Sequence, residues 1–302
     1  MQAMILAAGF GTRLLPHTNI RPKPLFPILN EPLLLLTIKR LQRSGFDLII
    51  VNCHHLKEQV VKAIVDIPGV VIQQEENILG TGGGLRKAVE LMRDEPVLVT
   101  NGDIYHTIDF KQLYQFHSAA SCCATLAMHN YPRFNSVAVA HDRVVEFGTD
   151  PESELLAFTG IHIINPQILK AIPEGIESCI IDHYRQLLAK GKKLSVYRAD
   201  DYFWTDMGTP QDYLRLNEGL LTGNIHRWSE FAYQDDNPNL ISDSAELTGN
   251  VDVSDWCSIG SVNGHNITIS GSVIWDGVDL PDGLVCRNRL ISSTDTILCF
   301  ES

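Results

Sequence analysis

Apolar residues recur along this chain in changing rhythms, and each change marks a region. Residues 3–8 (Ala-Met-Ile-Leu-Ala-Ala) form a short apolar run stopped by Gly9, the pattern of a buried strand. A Leu-rich helical spacing follows at 31–44, then a strand at 47–52 (Asp-Leu-Ile-Ile-Val-Asn) and a helix at 56–66. Strand, helix and strand are expected again at 70–73, 83–93 and 96–100. Strands alternating with helices at this spacing predict an α/β fold, a Rossmann-like, mainly parallel sheet flanked by helices. After residue 121 the chain turns strand-rich, with candidate strands at 122–128, 136–140, 143–147, 157–164 and 193–199. Two further helices are expected at about 179–190 and 209–222.

The tail has a rhythm of six. From Ser244 the chain divides into Ser-Ala-Glu-Leu-Thr-Gly, Asn-Val-Asp-Val-Ser-Asp and Trp-Cys-Ser-Ile-Gly-Ser. After an interruption at 262–265 come Asn-Ile-Thr-Ile-Ser-Gly, Ser-Val-Ile-Trp-Asp-Gly and Val-Asp-Leu-Pro-Asp-Gly. Leu247, Val253, Ile259, Ile269 and Trp275 share the fourth position, and Gly249, Gly271, Gly277 and Gly283 close units. Hexads of this kind predict a short left-handed β-helix with inward side chains stacked coil on coil. Asp235-Asp236-Asn237-Pro238-Asn239 reads as a linker, so domains are expected at 1–234 and 235–302.

With 302 residues, 44 % hydrophobic and 20 % charged, the chain has the balance of a globular protein. No apolar run reaches the roughly 20 residues of a spanning helix, and Met1 to Phe10 lacks the basic flank of a signal peptide. Seven cysteines without a CxxC spacing suit reduced thiols and a cytoplasmic location. A net charge of −12 disfavours nucleic acid as a partner. The charge is uneven, however. Residues 1–45 carry Arg13, Arg21, Lys23, Lys39, Arg40 and Arg43 against Glu31 alone, whereas 235–302 carry eleven acids and two bases. A basic segment in an acidic protein suits a small polyanion such as a triphosphate.

The chemistry begins just after the first strand, where an α/β sheet places ligands. Small residues at Ala7, Ala8, Gly9 and Gly11 let backbone N–H groups approach phosphate oxygens. The loop is not the dinucleotide fingerprint, because Leu14 stands at the third glycine, and it is not a Walker A loop, because no Gly-Lys-Ser/Thr follows. It adds Thr12 and Arg13, and then Lys23 between Pro22 and Pro24, whose fixed φ would hold the ammonium in a defined place. Asp103 ends an apolar strand after Gly102, and Asp206 lies between a strand and a helix starting near Thr209. Read from position alone, these aspartates are a turn residue and a helix-entry residue. Their hard oxygens also suit Mg²⁺, which takes one or two carboxylates with phosphates and water.

Ala7-Ala8-Gly9-Phe10-Gly11-Thr12-Arg13-Leu14 followed by Arg21-Pro22-Lys23-Pro24-Leu25 resembles the signature of the sugar nucleotidyltransferase (nucleoside-diphosphate-sugar pyrophosphorylase) family. The similarity continues, in family order, at Leu79-Gly80-Thr81-Gly82-Gly83-Gly84-Leu85, Asn101-Gly102-Asp103 and Trp204-Thr205-Asp206-Met207-Gly208-Thr209-Pro210. The resemblance implies transfer of a nucleoside monophosphate from a nucleoside triphosphate to a sugar-1-phosphate, with release of pyrophosphate. It implies that Asp103 and Asp206 hold the catalytic Mg²⁺ and that Ala7, Ala8, Gly9 and Gly83 line the nucleotide base. Gly11, Thr12 and Asn101 complete the nucleotide site, and Gly160, with Asn135 and Glu146, is expected on the sugar side. In-line attack at the α-phosphorus brings two anions together, so charge neutralisation by Arg13 and Lys23 is expected to dominate. Gln74, Glu75 and Glu76 are equal candidates for a base contact. His54, His55 and His162 are expected to be structural.

One family feature is missing. Many members carry Glu-Lys-Pro, whose lysine binds the sugar phosphate; here the region reads Glu146-Phe147-Gly148-Thr149-Asp150-Pro151, leaving Lys23 and Arg198 for that contact. This gap is similar to the N-acetylmuramate-1-phosphate uridylyltransferase branch, whereas a β-helix tail is similar to the mannose-1-phosphate guanylyltransferase branch. UTP is therefore expected first and GTP second. The alternatives are a cytidylyltransferase acting on phosphocholine, and a non-catalytic regulatory subunit, against which the four charged residues speak. The tail is expected to serve oligomer contact or regulation rather than acyl transfer, since His265 is its one histidine.

Overall fold

The computed structural model describes residues 1–148 and 153–298. The chain packs as two compact units: Met1–Gly9 with Thr37–Trp204, and Phe10–Leu36 with Thr205–Ser302, of which residues to 298 are described.

The first unit is built on a nine-stranded sheet. In chain order its strands are β1 (Gln2–Leu6), β2 (Leu48–Cys53), β3 (Val70–Gln74), β4 (Val97–Asn101), β5 (Ala124–His129), β6 (Val137–Ala140), β7 (Arg143–Glu146), β8 (Glu154–Ile164) and β9 (Leu194–Arg198). Across the sheet they run β3-β2-β1-β4-β8-β5-β9-β7-β6. β3, β2, β1 and β4 are mutually parallel, as the alternation with helices requires. The expectation of a mainly parallel sheet holds for that half; among the remaining pairings only β5 with β9 is parallel. β8 is antiparallel to both β4 and β5, and β7 is antiparallel to β9 and β6, so the whole sheet is mixed. The cause is visible at β8, an eleven-residue strand that enters between β4 and β5 and shifts register between Phe158 and His162.

Helices α1 (Leu33–Arg43), α2 (Lys57–Ile64), α3 (Gly80–Ala88), α4 (Phe110–Ala119), α5 (Ile180–Ala189) and α6 (Pro210–Leu221) follow in chain order. α4 is absent from the sequence expectations, although Asp109 caps it by accepting from the Lys111 and Gln112 N–H groups at 2.8 and 3.0 Å. α3 begins at Gly80 rather than residue 83, and carries four glycines of poor helix propensity. Packing overrides propensity here. A Cβ at Gly80, Gly82 or Gly83 would lie 2.6–2.9 Å from atoms of Ile176 or Ser178, so only glycine lets that segment approach.

The second unit contains the tail strands β10 (Asn239–Ile241), β11 (Glu246–Thr248), β12 (Asp252–Ile259), β13 (Asn263–His265), β14 (Thr268–Ile274), β15 (Val285–Arg287) and β16 (Leu290–Ile291). All their pairings are parallel: Asn239 lies beside Cys257, Glu246 beside Asn263, Asp252 beside Thr268, and Thr268 beside Val285. Ile259, Ile267, Ile269, Ile274, Val278 and Ile291 fill the core between them. Trp275 behaves differently from the other fourth-position residues. It is 1 % exposed, but its ring lies against residues of the Phe10–Leu36 segment.

Candidate functional site

The carboxyl ends of the parallel strands in the first unit form one row. Gln73 pairs with Asn52, Asn52 with Leu6, and Leu6 with Asn101, so these residues lie side by side on adjacent strands. Ala7 and Ala8 leave β1 buried, and among the described residues nothing lies within 4 Å of where a Cβ on Gly9 would be. Gly102 extends the ladder by donating its N–H to the Leu6 carbonyl at 2.8 Å, and half-buried Asp103 follows it. The first strand therefore ends in an open glycine turn, with an aspartate beyond the end of its neighbour.

Asn52 holds that end in place. Its Oδ1 accepts the Ala7 N–H at 2.8 Å, and its Nδ2 donates to Glu75 Oε1 at 2.8 Å. Glu75, 1 % exposed, also accepts from Gln73 Nε2 at 3.3 Å and from the Leu79 N–H at the start of α3 at 3.2 Å. Of the three base-contact candidates, Glu75 is thus engaged inside the protein. Glu76 pairs with Lys57 at 3.6 Å, and Gln74 is exposed. Gly84 closes the arrangement, because a Cβ there would lie 3.0 Å from both Asn52 Nδ2 and Glu75 Oε1. Asn52 was not singled out in the sequence, where the one available signal is an amide at the end of an otherwise apolar strand.

The sugar-side candidates lie in the same unit. Gly160 has φ +79° in the irregular stretch of β8, and a Cβ there would lie 2.5 Å from Asn101 Nδ2, so glycine makes room for the Asn101 amide. Beside it, the Thr159 carbonyl accepts from Trp204 Nε1 at 2.9 Å. Asn135 is used by its own loop: its Oδ1 accepts the Tyr131 N–H and its Nδ2 donates to Asn130 Oδ1, both at 2.9 Å. Glu146 is exposed at the end of β7. The region of the missing lysine, 149–152, lies outside the described residues. Arg198 is bound to Glu154 at 2.6 and 2.9 Å and to Asp200 at 2.8 Å, which raises its pKa further above the usual guanidinium value. Gly83 is buried, and the space its side chain would fill belongs to the Ile176 carbonyl at 2.6 Å. His162 is buried in the first unit, and desolvation pushes its pKa down to about 3.

The second unit holds the cations. Gly11 takes φ +64° and opens a short turn, Thr12–Leu14, that leaves Arg13 exposed. A Cβ at Gly11 would meet Thr18 Cγ2 at 2.9 Å and Lys23 Cβ at 3.4 Å, so glycine is needed here for close approach as well as for φ. Lys23 is 6 % exposed on a one-turn helix, Lys23–Leu25, entered through Pro22. Arg13 Nη2 lies 3.4 Å from Asp206 Oδ2, with the guanidinium 59 % exposed and the carboxylate 17 %. A pair at this distance with an exposed guanidinium contributes little stability. It is better suited to presenting a guanidinium to an incoming anion.

Asp103 and Asp206 offer the hard oxygen donors that Mg²⁺ prefers, and Mg²⁺ needs no more than one or two of them when phosphates supply the rest. Among the described residues no cluster of three or more His, Cys, Asp or Glu exists, so a cage made wholly of protein ligands is not present. No helix among the described residues is long and apolar enough to cross a membrane.

Residues 2–223 match the protein-family model described as "Nucleotidyl transferase". The chain is 29 % identical over 304 residues to a mannose-1-phosphate guanylyltransferase of Mycobacterium tuberculosis, covering 94 % of this chain and 82 % of the relative. It is 30 % identical over 257 residues to a UTP–glucose-1-phosphate uridylyltransferase of Synechocystis, covering 74 % of this chain and 64 % of the relative. Among solved structures, a putative glucose-1-phosphate thymidylyltransferase of Bacillus anthracis superposes with a TM-score of 0.64 at 20 % identity, over 76 % of this chain and 98 % of that one. At that identity the likeness speaks for the fold alone.

Proposed function

Because the chain belongs to the nucleotidyl transferase family, we propose that it joins a sugar-1-phosphate to a nucleoside triphosphate and releases pyrophosphate. The observation that carries this reading is the second unit's cation set. A glycine turn bears exposed Arg13, which is paired loosely to Asp206, and a buried Lys23 is clamped between prolines close to the same turn.

The chemistry follows from those groups. A phosphate oxygen of the sugar-1-phosphate attacks the α-phosphorus, and the bond to the β-phosphate bridging oxygen breaks. Both reactants are anions, so the protein's work is neutralisation and alignment rather than proton transfer. Arg13 has the reach to grip the departing pyrophosphate, and its planar fork suits paired phosphate oxygens. Lys23 has a stem held by packing, which fixes its ammonium for the α-phosphate and the incoming phosphate. Backbone at Ala7–Gly9, with Gly11, Thr12 and Asn101, would hold the nucleotide, and Gly160 would face the sugar. Mg²⁺, held by Asp103 and Asp206, would supply Lewis-acid neutralisation of the phosphoryl oxygens.

GTP gains ground on UTP as the donor, because the relative matched over 82 % of its length is a guanylyltransferase, whereas the uridylyltransferase is matched over 64 %. The tail is read as a short β-helix, supported by parallel strands that recur about every three hexads. The deciding experiment is a matrix of four ribonucleoside triphosphates and dTTP against several sugar-1-phosphates and phosphocholine, scored by Mg²⁺-dependent pyrophosphate release. Turnover with a sugar-1-phosphate supports the proposal. Turnover with phosphocholine alone, or in no combination, rejects it.

A further inference from the structure

Trp275 belongs to a tail hexad, yet its ring is committed to the loop that carries the cations. Its centroid lies 4.6 Å from that of Phe26 in edge-to-face contact, and the Arg21 guanidinium stands 4.8 Å over its face. Its Nε1 donates to Tyr213 Oη at 3.2 Å, and that hydroxyl in turn donates to the Pro27 carbonyl. Tyr213 itself meets Phe26 edge-on at 5.6 Å. Further ties run alongside: His17 Nδ1 to Ser292 Oγ at 2.7 Å, Asn30 Nδ2 to the Ile259 carbonyl at 2.8 Å, and the Leu29 N–H to Asn217 Oδ1 at 3.2 Å. All these residues lie within the second unit.

Lys23 lies in the chain between two of these residues, Arg21 and Phe26. Its turn is closed by the Leu25 N–H on the Pro22 carbonyl at 2.8 Å and the Phe26 N–H on the Lys23 carbonyl at 3.0 Å. Arg21 precedes the turn and Phe26 follows it, and both rest on the one indole. We infer that Trp275 is a positioning residue for Lys23, so that the tail sets the geometry of the phosphate-handling loop. A displacement of about 1 Å in a group that aligns reactants costs on the order of 10²-fold in rate. Losing the indole would leave Arg21 without its ring, Phe26 with Tyr213 but without its nearer ring neighbour, and Tyr213 Oη without one donor. The turn would keep its prolines, its two backbone hydrogen bonds and its Tyr213 contacts, but would lose the one ring on which both of its ends rest. The activity consequence rests on the function proposed above; the structural consequence does not.

The test uses the full chain as Trp275→Leu and Trp275→Phe. Backbone amides of residues 21–28 should exchange at least about tenfold faster in the leucine variant, while β1 and β4 keep their protection. Phenylalanine should restore most of the loss. With the substrate pair that turns over, Trp275→Leu should lower kcat about 10- to 100-fold, with KM changed less than about threefold. In a Lys23→Ala background the same change should add less than about twofold, since it acts through that ammonium. Unchanged exchange at 21–28, or two losses that simply multiply, would overturn the inference. If leucine unfolds the tail, Tyr213→Phe removes the hydroxyl that links the Trp275 indole to Pro27 while keeping both rings, and should loosen residues 25–28 selectively. A wild-type protein that turns over no substrate pair would defeat the functional reading, and the exchange experiment would still decide this one.

Discussion

Arg13 and Asp206, 193 residues apart in sequence, face each other at 3.4 Å across the Cα of Gly208. A Cβ on Gly208 would lie 2.6 Å from the carboxylate Oδ2 and 2.8 Å from Arg13 Nη1, so an alanine there must push the pair apart. Gly208→Ala is expected to lower kcat/KM about 10- to 100-fold, with a small change in melting temperature because a long pair with an exposed guanidinium contributes little stability. A variant with wild-type kcat/KM would show that the Arg13–Asp206 geometry does not matter for turnover.

Removing either aspartate tests the metal assignment. Asp103→Ala and Asp206→Ala should each reduce Mg²⁺-dependent pyrophosphate release by about 10²-fold or more, the scale seen when one electrostatic stabiliser is lost. Asp206→Asn should lie between, keeping hydrogen bonding while losing the charge that holds Arg13. A Mg²⁺ titration of initial rates separates a weakened metal site, which higher metal rescues, from a lost one. Full activity in a folded variant would remove that aspartate from the mechanism.

The bonds of Asn52 make a stability prediction. Asn52→Ala leaves the Ala7 N–H and one Glu75 oxygen short of a partner in a buried setting, and each such loss costs about 1–3 kcal/mol. Urea unfolding should therefore show a loss of about 2–4 kcal/mol. Glu75→Gln also disturbs the network, since an amide NH₂ placed at Oε2 would face the Leu79 N–H instead of accepting from it. A loss below about 0.5 kcal/mol for Asn52→Ala would mean that water substitutes freely at this site.

Acid should weaken the fold through two buried histidines. Desolvation lowers the pKa of His17 to about 4 and of His162 to about 3. Among the described residues neither ring nitrogen of His162 meets a hydrogen-bond partner. The unfolded groups titrate near 6.5, so between that pH and the folded values the unfolded chain binds more protons. The stability contribution is complete above about 6.5 and falls as pH drops towards 4 and then 3. Between pH 7.5 and pH 5 each histidine should cost roughly 1–2 kcal/mol, read from urea midpoints. His162→Phe should flatten the profile; the same slope in that variant would assign the acid sensitivity elsewhere.

Local pattern sufficed for much of the molecule. Apolar runs marked β1, β2, β3 and β4, and the loop from Ala7 to Lys23 was legible because its glycines, prolines and cations lie close together in the chain. The hexads of the tail were legible for the same reason, since each unit repeats its own short rule. Helix α4 has weaker local signals, the Asp109 cap and the spacing of Phe110, Leu113 and His117.

Other features depended on contacts that no local pattern encodes. The antiparallel entry of β8 between β4 and β5 rests on pairings between distant segments. Gly80, Gly82 and Gly83 look like a ligand loop in sequence, and the structure adds that each lets residues 176–180 pack closely against it. Trp275 looks like one more stacked hexad residue until Phe26 and Arg21 are seen against its ring. By itself the sequence determined which residues are candidates for the chemistry, because charge, hydroxyl and glycine are properties of single positions. Only the tertiary structure decided which of them are held, and by what, because burial and hydrogen bonding arise between segments that fold from opposite ends of the chain.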